Sequence, residues 1–306
     1  MQIHLSPALL TSLIPLAIIG LCMCLPAGIV IWIRDRQTRG KKNPLNLDLL
    51  RSPGQSLKER TEEITDKIME HLVLMLYFPM GLYIVAVTQY VLTSTPPSSL
   101  LLILYIGAAV GTAVVCSLKI FRLMRTRTHY RLGYDCELMV GQGLHTLLAE
   151  GFRVFHDFPA DGFNIDHIAI GPTGVFAIET KGRAKSSTVE NRNWEVRYDG
   201  RQLAFPGWTE TRPITQAVDQ AKWLRTWLCQ TTGNETPVEP VLAVPGWYIK
   251  RTGPGGPRAY NGKSPDFLAK GAQVLPAERI RAIAFQVEQQ CRTVATTAYQ
   301  TDTGKK

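Results

Sequence analysis

Three long segments without a charged side chain, all before residue 121, constrain this 306-residue chain more than any other feature. Leu9 to Ile33 is uncharged until Arg34. His71 to Leu92 holds one histidine and no Asp, Glu, Lys or Arg, and Ser98 to Ser117 ends just before Lys119. At 1.5 Å of rise per residue, the first run of about 25 residues makes roughly 37 Å of helix, enough to cross about 30 Å of hydrocarbon with some tilt. Pro26, Gly28, Pro79 and Gly81 would weaken helices in water but are tolerated in membrane helices. A cleaved signal peptide fits the first run poorly. Met1 to Pro7 lacks a positive charge, and the run exceeds the usual core of about 7–15 residues. A buried hairpin in a soluble protein would rarely contain such long uncharged runs. The expectation is a membrane domain over residues 1–120, with spans near 9–33, 71–92 and 98–117. The near-zero mean hydropathy of −0.02 conceals this division.

Orientation is read from the short loops. Arg34, Arg36, Arg39, Lys41 and Lys42 follow the first run against Asp35 alone, and Lys119, Arg122, Arg125, Arg127 and Arg131 follow the third. By the positive-inside rule both stretches are expected in the cytoplasm, with the N-terminus outside and the C-terminal domain inside an inner membrane of bacterial type. The lipid bilayer is thus the first expected partner, and the basic stretch 121–132 is expected as a juxtamembrane linker that meets anionic headgroups. Cys22, Cys24, Cys116, Cys136, Cys229 and Cys291 show no paired metal-ligand spacing. No disulfide partner is expected, which suits a reducing compartment.

The loop 34–70 reads as irregular over Asn43 to Gly54. A connecting helix then begins at Ser56, with Ser56 as N-cap and Glu59 at the capping-box position. Further on, Asp135 to Glu150 reads as a helix closed by Gly151, with Glu137, Gly141, Leu144 and Leu148 on one face. Strand-like runs follow at Phe152 to Phe158, Ile165 to Ile170 and Val175 to Thr180, the last two joined by the turn string Gly171-Pro172-Thr173-Gly174. Trp194 to Tyr198 and Gln202 to Phe205 form a second hairpin about Asp199-Gly200. Pro213 to Gln230 is a long helix, Val238 to Ala243 and Trp247 to Ile249 return to strand, Arg251 to Ser264 is a loop, and Pro276 to Gln290 contains a helix. The predicted fold class is transmembrane α-helices plus an α/β domain over 133–293, a mixed sheet flanked by helices, with a flexible tail over 294–306.

The first hairpin carries the chemistry. Asp166 lies five positions before Gly171 and Glu179 five after Gly174, so folding about the turn sets them opposite each other, with Lys181 on the same face as Glu179. Two carboxylates and a backbone carbonyl, here that of Thr180, are hard oxygen ligands suited to Mg²⁺ or Mn²⁺. Such a cation stabilises charge on a transferring phosphoryl oxygen and acidifies bound water, and a neighbouring lysine can orient that water or stabilise the transition state. An exposed hairpin end with a solvated Glu/Lys pair is the plainer reading of the same spacing. Against it, Ile165, Ile168, Ile170, Val175, Phe176 and Ile178 make the hairpin apolar, so charges at its end would need partners.

The run Asn164-Ile165-Asp166-His167, with Gly171-Pro172-Thr173-Gly174-Val175-Phe176-Ala177-Ile178-Glu179-Thr180-Lys181-Gly182, resembles the core of the nuclease-related (NERD) domain, which is assigned to the PD-(D/E)XK nuclease superfamily. The resemblance spans roughly Gly133 to Trp227. It implies a restriction-endonuclease-like fold and Mg²⁺-dependent phosphodiester hydrolysis. It also matches Glu137 to a family acidic residue, expected to reach the metal through water, and Gln216 to a family glutamine, although Arg212-Pro213 stands where the family often has Asn-Pro.

From Phe121 onward there are 24 Lys and Arg against 18 Asp and Glu, which suits a polyanionic partner. Arg183, Lys185, Arg192 and Arg197, just past the carboxylates, are the candidate backbone-phosphate contacts. His167 should point away from Asp166, into the opposite face of the sheet. The leading expectation is a membrane-anchored, metal-dependent nuclease, with DNA ahead of RNA as substrate and self-association left open. The alternative is a non-catalytic module that binds nucleic acid or protein at the membrane. A transporter fits poorly, because the three runs contain no internal charge.

Overall fold

The computed structural model describes residues 7–186 and 194–296. Among these, 7–44 with Glu63–Arg127 form one compact unit, and Leu45–Glu62 with 128–296 form another.

The first unit is helical. It holds α1 (Pro7–Thr38) and most of the apolar lengths of two longer helices. A two-residue strand, β1 (Leu49–Leu50), precedes α2 (Gln55–Thr93), and α3 (Ser99–Leu144) follows. Both α2 and α3 are long and apolar enough to cross a membrane, and almost none of their apolar windows is buried. Tyr83, Leu100 and Ile103 are each more than 60 % exposed, the pattern of helices whose apolar surface meets something other than the protein. Between them, Arg127 Nε donates to Thr65 Oγ1 at 2.8 Å, and Ile64 and Cys116 are buried. The stretch 121–132, expected as a linker, is helical: α3 continues through it without a break and absorbs most of the helix expected over Asp135 to Glu150. A 3-10 segment, His145–Glu150, then ends at Gly151.

The second unit is built on a five-stranded mixed sheet. Its strands are β2 (Arg153–Pro159), β3 (Asn164–Gly171), β4 (Gly174–Thr180) and two later ones. A smaller sheet is begun by β5 (Glu195–Tyr198), β6 (Leu203–Phe205) and β7 (Trp208–Glu210), before α4 (Arg212–Thr232). After β8 (Val238–Ala243) come β9 (Tyr248–Arg251), β10 (Arg258–Tyr260), α5 (Ala277–Cys291) and β11 (Arg292–Val294). The main sheet has the order β10-β8-β4-β3-β2, and the smaller one β7-β6-β5-β9. The β2-β3-β4 meander is antiparallel, whereas β4-β8 and β8-β10 are parallel.

Helices cover both faces of the main sheet, which is why β3 and β4 read as nearly continuous apolar runs. On one face Ile168, Ile170, Val175 and Ala177 pack with Ala221, Leu224 and Leu228 of α4 and with Ile283 and Val287 of α5. On the other, Ala169, Phe176 and Ile178 meet Val140 and Leu144 of α3. Each of the Ile, Leu, Val and Phe side chains, taken fully out of water, contributes about 1.5–3 kcal/mol.

Three expectations are corrected at the edges of this unit. The loop 34–70 is not merely a connector, because Leu45–Glu62 joins the α/β unit and β1 pairs with β11. That pairing also places Val294 in a strand, so the tail expected to begin there is ordered at its start, and 297–306 lie outside the described residues. The Arg251 to Ser264 stretch is not wholly loop, since β10 adds to the sheet beside β8. Short edge strands such as β1, β10 and β11 carry too few residues for alternation to show.

Candidate active site

The antiparallel ladder pairs His167 with Ile178 and Gly171 with Gly174, a register that sets Asp166 opposite Glu179. Directly opposed residues share a face, here the α4 side. Asp166 Oδ2 accepts the backbone N–H of Thr180 at 2.6 Å. Glu179 is fully buried, and its Oε1 is in an ion pair with Lys181 Nζ, whose side chain is 22 % exposed. Neither Glu179 oxygen accepts a hydrogen bond of good geometry among the described residues, and the same is true of Glu137 Oε2 and Thr180 Oγ1. Unpaired buried oxygens are costly and call for a partner.

The electrostatics show how closely the acids are grouped. Burial raises the Glu137 carboxyl to about 8, with the charges of Asp157 and Glu179 adding to the rise and Lys181 opposing it. Asp166 is pushed well above the ordinary carboxylate range by burial and then by Glu179 and Glu137. Burial raises Glu179 too, while Lys181 and the Gln220 amide hold it back. Glu179 thus raises both Glu137 and Asp166, and Glu137 raises Asp166.

The ladder sets Asp166 of β3 opposite Glu179 of β4, Lys181 pairs with Glu179 just after β4, and Glu137 of α3 lines a pocket with Asp166. Among the described residues no three His, Cys, Asp or Glu side chains converge as a ready ligand set. The donors on offer are carboxylate and carbonyl oxygens with unused lone pairs, a hard set that suits a small divalent cation whose shell is completed by water. By that chemistry the residues fit Mg²⁺ or Mn²⁺.

A wall of the cavity comes from a part of the chain expected to be only a connecting helix. A pocket of about 420 Å³ is lined by Glu137, Asp157 and Asp166 together with Ser56 and Leu57. Asp157, 1 % exposed, adopts φ +48, a conformation uncommon for a residue with a side chain. Its carboxylate accepts from Arg51 Nε (2.9 Å) and NH2 (2.5 Å), from the Ser56 N–H (2.8 Å) and Oγ (2.7 Å), and from Asn164 Nδ2 (2.9 Å). The start of α2 is thus capped by a carboxylate about 100 residues away. This corrects the self-capping expected of Ser56, whose hydroxyl is spent on Asp157; the helix itself begins at Gln55. An anion at a helix N-terminus satisfies free N–H groups and complements the dipole. The Gly54 N–H in turn supports the charged form of Glu137. Gly54 has φ +67, and a Cβ there would lie 2.8 Å from the Tyr134 ring, so only glycine fits this approach.

Other expected residues have different fates. Gln216 is half-buried in α4. One turn on, Gln220 is 2 % exposed, donates to the Asn164 carbonyl at 3.2 Å and lies beside Glu179. The i, i+4 spacing of two glutamines was the available signal, and it could not say which of them faces the sheet. Arg183 is engaged by Glu210, with contacts of 2.7 and 2.6 Å, and so is less free for phosphate than its position suggested. Lys185 Nζ sits 5.5 Å from the Trp247 ring centre, and Arg197 pairs with Glu195 at 3.4 Å on the surface. Arg192 lies outside the described residues. His167 is fully buried on the α3 side, its Nδ1 2.9 Å from His156 Nδ1, and burial holds both rings well below the usual histidine range. They form a neutral core pair.

Residues 132–245 match the family model described as the nuclease-related domain, NERD. Searches among curated proteins and among solved structures gave no match.

Proposed function

We propose, from the nuclease-related match over residues 132–245, that this chain is a membrane-anchored, divalent-metal-dependent nuclease that cleaves phosphodiester bonds, in DNA ahead of RNA, on the cytoplasmic face. The observation that carries the reading is the pair of buried carboxylates Glu179 and Glu137, with oxygens that make no hydrogen bond among the described residues, set beside the partly buried Asp166 and Lys181. A structural ion pair would be expected to satisfy its oxygens fully.

In this reading Asp166, Glu179 and the Thr180 carbonyl hold Mg²⁺ or Mn²⁺, with Glu137 reaching it through water. The cation, when bound, supplies charge neutralisation at the phosphoryl group and acidifies a water. Lys181, an ammonium tethered by Glu179, donates to the phosphoryl oxygen on which negative charge grows. Glu137, the acid contributed by α3, orients the attacking water. Gln220, held by its hydrogen bond to the Asn164 carbonyl, lies beside Glu179 from α4.

Membrane anchoring is supported by α2 and α3, each long and apolar enough to span, and the orientation by the basic residues that follow the first and third runs. Purified full-length protein in detergent, given plasmid, oligonucleotide and RNA with Mg²⁺ or Mn²⁺, should cleave nucleic acid. Asp166→Asn and Lys181→Ala should abolish that cleavage, and Asp166→Asn cutting at the wild-type rate rules out this site. A reporter fused after Lys306 should read as cytoplasmic.

A further inference from the structure

Beside the carboxylate pocket lies a second cavity, a groove of about 560 Å³ between α4 and the β2-β3 turn, lined by Phe163, Arg212, Gln216, Gln220 and Trp223 with Thr215 and Asp219 at its edge. Phe163 lines both cavities, so the groove and the site share one wall. Its aromatic wall is fixed. Phe163 and Trp223 meet edge to face at 5.5 Å, and Trp223 is held from behind by Phe158 and Trp227 at 6.1 and 6.4 Å. Yet Phe163 and Trp223 both remain half-exposed.

The polar groups are as telling as the rings. Gln220 is 2 % exposed, and its Oε1 has no hydrogen-bond partner among the described residues. Arg212, exposed at the start of α4, makes no ion pair among the described residues. An aromatic wall, an amide edge and a guanidinium within one groove match the three parts of a nucleotide: a base to stack, polar edges to bond and a phosphate to pair.

We infer that this groove is a subsite for one unpaired nucleotide of the substrate strand next to the scissile bond, so that the protein acts on single-stranded nucleic acid or on frayed ends in preference to intact duplex. The inference rests on the nuclease reading and adds strandedness to it.

The test separates binding from chemistry. Full-length protein in detergent, with Ca²⁺ replacing Mg²⁺, is titrated against a labelled single strand of about twelve nucleotides and against the matching duplex. Single strand should bind at least about tenfold more tightly. Phe163→Leu, which keeps apolar volume but removes the ring, and Arg212→Ala at the exposed helix start should each weaken it about fivefold or more, as loss of a stacked base or a phosphate contact does. Duplex binding equal to single strand, no nucleic-acid binding at all, or unchanged affinity in both variants overturns the inference. Cleavage in Mg²⁺ is scored separately. Binding with these preferences but without cleavage sinks the nuclease reading and leaves the groove, whereas cleavage without strand discrimination does the reverse.

Discussion

Asp157 and the group of Glu137, Asp166 and Glu179 are buried acids in one unit, drawn from β2, α3, β3 and β4. Asp157 accepts five contacts from Arg51, Ser56 and Asn164, so its burial is compensated in full. Glu137 and Glu179 keep buried oxygens without hydrogen bonds, and burial raises the carboxyls of Glu137, Asp166 and Glu179. The difference separates a carboxylate that holds the structure together from carboxylates that, in the proposed reading, are left free to hold a cation. Burial alone does not distinguish them. The number of lone pairs left over does.

The sharpest way to break that comparison is Glu179→Gln in the full chain. Metal-dependent cleavage should fall at least about a thousandfold, the scale of losing one main electrostatic contact in a transition state. Stability should change by no more than about 1 kcal/mol, because Lys181 is exposed enough to turn to water. A large drop in the unfolding midpoint would put Glu179 in the same class as Asp157.

Asp157→Ala should reverse the pattern, costing about 3 kcal/mol of stability by stranding Arg51 and uncapping α2. Thermal unfolding of the variant in detergent measures this. If the midpoint stays at the wild-type value, the clamp between Leu45–Glu62 and the sheet is not what secures that segment.

The smallest effect expected is on pH dependence. The Glu137 carboxyl is raised from its ordinary 4.5 to about 8 in the folded chain, so folding favours its protonated form. That contribution is complete below about 4.5 and is lost as pH climbs from there through 8. Metal-free protein should therefore melt at lower temperature at pH 8.5 than at pH 5, Glu137→Gln should flatten the slope, and Mg²⁺ should raise the midpoint mainly at the higher pH, where the acids are ionised. A slope unchanged by Glu137→Gln would assign it to other groups.

Much of the candidate site was legible in the sequence because it is local. Asp166, Glu179 and Lys181 sit on one hairpin whose tight turn and period-2 alternation dictate the register. The same holds for the apolar runs, whose length alone sets them apart. What could not be read involves partners far apart along the chain. Gly54 and Ser56 reach Glu137 and Asp157 across some 80 and 100 residues, and Arg183 meets Glu210 through a second sheet. Gln220 outranks Gln216 only because α4 rotates that face toward β4.

By itself the sequence determined which segments are apolar enough for a bilayer, where strands turn back, and which acids share a strand end, since each depends on neighbours a few residues away. Only the tertiary structure decided which acids are left unsatisfied, which glutamine supports them, and that Leu45–Glu62 completes the wall of the pocket. Those outcomes depend on competition among distant groups for the same lone pairs, and hydrogen-bond satisfaction is a property of the folded whole.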